Sequence, residues 1–201
     1  YAVLIGAGDN AAAGSQHNGA YYANPRGQVM FLPHDMDFAF SSSRSITANP
    51  ECSKLVQNET RKRIYYGHLQ DIITTTYNRS YMSKWTDHLK ELDPSQNWNG
   101  HLSYINSRSN NVLSQLRSIP EIQFSISSPS TVETQKNIVK INGKGWVNVR
   151  GVRIKGSNES LPLQWSDKNT WELALPAAPG RQKFDLEAID FSGQVIGNDS
   201  V

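Results

Sequence analysis

Residues 19–40, GAYYANPRGQVMFLPHDMDFAF, carry a backbone signal followed by a chemical one. The aromatic run at 19–23 and the run QVMFLP flank Asn24-Pro25-Arg26-Gly27, a turn tetrapeptide, so the stretch predicts a β-hairpin. Directly after it, Asp35 and Asp37 stand one residue apart in an otherwise apolar segment. In extended backbone, residues two apart share a face, so both carboxylates would point the same way. Like charges so placed repel unless a cation lies between them. Mg²⁺ is the obvious cation, because it is held by one or two carboxylates together with phosphate and water oxygens. D-x-D is also short and common, and a solvated turn whose aspartates cap the next element stays open as a reading.

Outward from the hairpin the apolar period becomes helical. Leu55, Ile64, Leu69, Ile72 and Ile73 form one set, Tyr81, Trp85, Leu89 and Leu92 a second, and Leu102, Ile105, Val112, Leu113 and Leu116 a third. Asp93-Pro94 and Ile119-Pro120 are stop signals. Beyond residue 120 the pattern changes to short alternating runs: Val139/Ile141, Val147/Val149, Val152/Ile154, Leu161/Leu163/Trp165, Trp171/Leu173/Leu175 and Phe184/Leu186/Ala188. Turn chemistry separates them at Asn142-Gly143, Gly156-Ser157-Asn158, Asp167-Lys168-Asn169, Pro179-Gly180 and Ser192-Gly193. This predicts an α+β chain: residues 1–120 as a hairpin with helices, and residues 121–201 as a small all-β sandwich, Ig-like, with Trp165 and Trp171 in its core.

With 20 Lys and Arg against 18 Asp and Glu, the 201-residue chain has a net charge of +2 and no dense basic block. Nothing in that balance suggests nucleic acid or an anionic membrane as partner. No apolar run approaches the roughly 20 residues that span a bilayer. A single cysteine, Cys52, makes no internal disulfide, which suits the cytosol and equally the cysteine-poor proteins that bacteria export. The opening AVLIGAG reads as a buried element entered midway, so the expectation is a piece of a longer protein. Sequons at Asn58, Asn78, Asn158 and Asn198 do not decide localisation in so Asn/Ser-rich a chain.

The chemistry of the D-x-D pair depends on what precedes it. Phosphoryl transfer needs a carboxylate to orient the attacking hydroxyl, an amide oxygen to help hold a metal, and a metal-bound carboxylate. Asp9, after Gly6-Ala7-Gly8, then Asn18, then Asp35 and Asp37 supply these types in the chain order that kinases use, with the hairpin between the last two groups.

Across GDNAAAGSQHNGAYYANPRGQVMFLPHDMDFAF, residues 8–40, the chain resembles the CotH kinase-like family, the spore coat protein H type of atypical kinases. Such proteins show an Asp upstream of an H-N-Y-Y-like strand and then a P-W-D-x-D-x-x-F signature. The resemblance implies the C-lobe-like part of a protein-kinase fold, ATP with Mg²⁺ or Mn²⁺, and a protein substrate. By position it implies Asp9 as the catalytic carboxylate, and Asn18 with Asp35 or Asp37 at the metal. His34 stands where the signature has tryptophan. The glycine-rich nucleotide lobe would lie upstream of Tyr1, since Gly6-Ala7-Gly8 lacks the third glycine of a G-x-G-x-x-G loop at Ala11. The isolated chain is therefore expected to bind nucleotide weakly and to transfer no phosphate.

Two other functions fit the same residues. One is a non-catalytic binding or surface-display protein on this fold; the other is a D-x-D metal-dependent transferase acting on a sugar nucleotide. His17 and His34 lack metal-ligand spacing. Ser15, His17 and Asp9 include triad residue types without a G-x-S-x-G elbow. Arg61-Lys62-Arg63 is expected to be a solvated helix turn, and Cys52 a structural thiol.

Overall fold

The structure, a computed structural model, describes residues 3–4, 19–33, 40–41, 43–48, 50–117 and 121–201. Among these the chain is mixed α+β, with four helices and three antiparallel sheets. It divides into two compact units, Tyr1–Gln57 with Thr76–Leu116, and Asn58–Thr75 with Arg117–Val201.

In the first unit β1 (Gly19–Ala23) pairs antiparallel with β2 (Val29–Pro33), and α1 (Pro50–Leu55), α3 (Arg79–Leu92) and α4 (Trp98–Leu116) follow. Asn residues start the two long helices. Asn78 Oδ1 accepts from Tyr81 N at 2.9 Å and Asn97 Oδ1 from Gly100 N at 3.0 Å, each filling a donor the first turn leaves open. The α3 helix ends where Asp93 N donates to Leu89 O, just before Pro94. Along α4, Leu102, Ile105, Val112 and Leu116 are buried as their helical spacing predicts. The α3 set differs: Thr86 is its buried residue, whereas Tyr81, Trp85, Leu89 and Leu92 stay exposed, Trp85 at 54%.

The second unit consists of α2 (Glu59–Thr75) and seven strands: β3 (Ser125–Ile126), β4 (Ile138–Lys144), β5 (Gly151–Ile154), β6 (Gln164–Trp165), β7 (Thr170–Pro176), β8 (Asp185–Ile189) and β9 (Val195–Ser200). One sheet has the order β3-β4-β7-β6 and the other β5-β8-β9. The β4–β7 register sets Val139 opposite Leu175, Ile141 opposite Leu173 and Gly143 opposite Trp171. Period-two alternation sends these side chains into one core, which both sheets share through Val152, Leu186 and Ala188. Trp171 is fully buried, stacks on Phe124 at 5.5 Å between centroids, and donates its indole N–H to Lys144 O at 3.0 Å.

Several expected turns take the expected form. Asp167 Oδ1 accepts from Asn169 N (2.6 Å) and Thr170 N (2.7 Å) between β6 and β7, and Asp190 with Gly193, at φ 83°, turns β8 into β9. Asn142-Gly143 is different, because it lies inside β4. A Cβ at Gly143 would collide with the Ser125 carbonyl and the Trp171 ring, so this glycine admits a neighbouring strand and an indole rather than a turn. Val147 and Val149 are buried in a turn segment instead of a strand, and of the Leu161–Trp165 run only Gln164–Trp165 is paired. Strand β9, VIGNDS, lacks the alternating apolar pattern of the other long strands.

Candidate functional site

Asp9, Asn18, Asp35 and Asp37, together with Ser15, His17, His34 and Pro120, lie outside the described residues. The frame next to the first four is described. Asn24 organises the hairpin turn: its Oδ1 accepts from Arg26 N at 2.9 Å and Gln28 N at 3.0 Å, while Gly27, at φ 77°, donates its N–H to Asn24 O at 2.9 Å. Only glycine adopts that φ without strain. With the turn fixed, the register runs Ala23–Val29, Tyr22–Met30, Tyr21–Phe31, Ala20–Leu32 and Gly19–Pro33. Gly19 follows Asn18 in the sequence and Pro33 precedes His34, so the two strand ends that adjoin the candidate segments lie directly opposite each other.

A buried arginine on α4 fixes two further approaches to the same segments. Arg108 has 0% exposure. Its Nε donates to Leu4 O (3.2 Å), Nη2 to Val3 O (2.7 Å), and Nη1 to Arg44 O (2.6 Å) and Asn111 Oδ1 (2.8 Å). Tyr77 hydroxyl donates to the same Leu4 carbonyl at 3.2 Å, and Ser109 Oγ donates to Tyr77 O at 2.9 Å. Burial pushes the Tyr77 phenol far above its ordinary range, with Tyr104 adding to the rise and Arg108 opposing it, so the hydroxyl stays a donor. Val3 and Leu4 lead toward Asp9 in sequence, and Arg44 follows Asp37. Arg108 therefore gathers the main chain on both sides of the candidate set at one point.

The second unit holds the corresponding feature that the sequence did not reveal. Arg63 is 7% exposed, not solvated as its basic triplet suggested. Its Nη1 donates to Lys168 O (2.7 Å) and Gly145 O (3.2 Å), its Nη2 to Trp146 O and Val149 O (both 3.0 Å), and its guanidinium carbon lies 3.0 Å from the Trp165 ring centroid. Burial pulls its pKa down to about 9 against the opposing pull of Asp167. It remains a cation at neutral pH, satisfied by four carbonyl dipoles and an aromatic face. Helical spacing does not announce it: Arg63 lies about 120° around α2 from buried Leu69 and about 80° from buried Ile73, while the apolar Ile64 is 58% exposed.

Among the described residues no three of His, Cys, Asp and Glu come together as a metal site, and no helix is long and apolar enough to cross a membrane. Comparison with protein-family models, with curated proteins and with solved structures finds no match.

Proposed function

We propose that the chain is part of an atypical, ATP- and metal-dependent protein kinase of the CotH type, its first unit C-lobe-like and its strands forming an Ig-like sandwich. In this reading Asp9 orients the hydroxyl of a protein substrate. Asn18, Asp35 and Asp37 would hold Mg²⁺ or Mn²⁺, and this set of hard oxygen donors fits those ions. When bound, the metal would neutralise charge on the transferred phosphate. The observation that carries the reading is the hairpin register: with Gly19 opposite Pro33, the segments bearing Asn18 and the D-x-D pair leave the same end of one two-stranded sheet.

The test is Mn²⁺ titration of the ¹⁵N-labelled chain with and without ATP. Paramagnetic broadening is expected first at the Gly19, Ala20 and Leu32 amides, because relaxation falls steeply with distance from the ion. The double variant Asp35→Asn/Asp37→Asn should lose it. Broadening that is absent, or unchanged in the double variant, ends the proposal.

A further inference from the structure

The second unit carries an open depression of about 540 Å³ lined by Leu161, Pro162, Leu163, Trp165 and Ile189, with Arg150, Gly151 and Ser160 completing it. Its volume falls in the range of small-molecule sites. The lining joins polar and apolar surface, and no acidic residue contributes to it. Its one charged residue is the exposed Arg150, whose guanidinium makes no hydrogen bond or ion pair among the described residues, in contrast to Arg153, which Glu187 neutralises at 3.0 Å. The Ser160 hydroxyl is likewise unengaged among the described residues. Gly151 keeps space beside Ser160 and Ile189: a Cβ there would reach Ser160 Oγ at 3.4 Å and Ile189 Cγ1 at 3.6 Å, filling part of the depression without a clash. Trp165 is locked in place, since Arg63 occupies one face of its ring.

We propose that this depression binds molecules that join a carboxylate to a compact apolar group. A guanidinium with no internal partner fits a planar carboxylate by paired N–H donors. The hydroxyl of Ser160 can donate to the second oxygen or to an adjacent amide. Leu161, Leu163, Ile189 and the Trp165 ring offer an apolar wall for a branched or aromatic side group. The same chemistry occurs in free organic acids and at the C-terminal residue of a peptide, and the two sources are separable by experiment.

The full chain, ¹⁵N-labelled, is titrated with N-acetyl-leucine and with 3-phenylpropionate, and the Trp165 indole N–H and the Gly151 and Ser160 amides are followed. Saturable shifts at millimolar concentration are expected. Tighter binding of N-acetyl-leucine assigns the site to peptide C-termini, and equal or tighter binding of phenylpropionate assigns it to free acids. N-acetyl-leucinamide, which lacks the charge, and the surface variant Arg150→Gln should each weaken binding about threefold to fivefold, the range of an exposed ion pair. Gly151→Ala, which keeps the charge and takes up space, should weaken it as well. Shifts that do not saturate, an amide that binds as well as the acid, or Arg150→Gln binding like the unaltered chain would each overturn the proposal.

Discussion

Arg63 and Arg108 are both buried, both project from helices, and both donate mainly to main-chain carbonyls, yet they do different work. All four acceptors of Arg63 belong to two loops of the strand region, at 145–149 and at Lys168, and its plane is covered by Trp165. Together with the Thr60 hydroxyl on Ser166 O and the Glu59–Lys168 ion pair, it ties α2 to the strands of its unit. The acceptors of Arg108 come from chain segments about a hundred and about sixty residues away, Val3–Leu4 and Arg44, neither in regular structure. A guanidinium suits either task, because its five donors are fixed in a plane and can serve several carbonyls that have no strand or helix partner. The contrast is between an arginine that fastens one element to a folded body and one that holds irregular chain where a site would need it.

Arg63→Ala tests the first role and should have the largest effect. It takes a donor from four carbonyls, of which Trp146 O keeps Val149 N, and uncovers one face of Trp165, so a loss of about 3–4 kcal/mol is expected. Native-state hydrogen exchange should show the loss in the β4 and β7 amides while those of α4 stay protected. Equal acceleration in α4 would mean that the two units do not have separate stabilities. Arg63→Lys should recover only part of the loss, since three donors on one nitrogen cannot reach four acceptors spread along a fork.

Arg108→Ala should cost less, about 2 kcal/mol, because Val3 O loses its donor while Leu4 O keeps the Tyr77 hydroxyl, and Arg44 O and Asn111 Oδ1 keep Gln115 Nε2 at 3.4 and 2.7 Å. The sharper expectation concerns metal. If Arg108 holds the chain on both sides of Asp9, Asp35 and Asp37, its removal weakens Mn²⁺ binding in the broadening experiment, whereas Arg63→Ala leaves it unchanged. Equal Mn²⁺ affinities in the two variants would reduce Arg108 to the same fastening role as Arg63.

The elements with strong local signals could be read in the sequence. The Asn24–Gly27 turn fixed both hairpin strands, and alternation in 138–144, 170–176 and 185–189 gave three strands of the core that the two sheets share. What could not be read depended on distant partners. Asn142-Gly143 has the composition of a turn, and only the approach of Trp171 and β3 explains why it is strand. That α2 groups with the strands depends on Arg63, Thr60 and Glu59 finding loops far along the chain, which no helical period can announce. Trp85 and Leu92 satisfy an amphipathic pattern but remain exposed, since a pattern states that a face is apolar and not what covers it. Of the candidate site, the sequence named Asp9, Asn18, Asp35 and Asp37, while Arg108 sits on a helix read only for its apolar positions and Tyr77 in the short link between α2 and α3.

The smallest effect expected distinguishes the units by acid. In the second unit, burial tends to raise the Asp167 and Asp190 carboxyls, but hydrogen bonds outweigh it: Asn169 and Thr170 donate to Asp167, and Ser192, Gly193 and Gln194 donate around Asp190, so both sit below their ordinary value of 3.8. A carboxyl whose folded pKa is depressed binds protons more weakly when folded, so its stabilisation is complete above the unfolded pKa and is lost as pH falls through the folded one. In the first unit Asp93 is also lowered, chiefly by the Ser95 hydroxyl, but it stands in open water where screening leaves little to lose. Between about pH 5 and pH 2, exchange protection should therefore fall at β8 and β9 before it falls in α3. Asp190→Asn should cost roughly 0.5–1 kcal/mol at pH 7, discounted for the partial exposure of the turn, and should flatten the acid dependence of the β8–β9 amides. An acid dependence that is unchanged in Asp190→Asn, or that appears first in α3, would show that the difference between the units lies elsewhere than in their turn carboxylates.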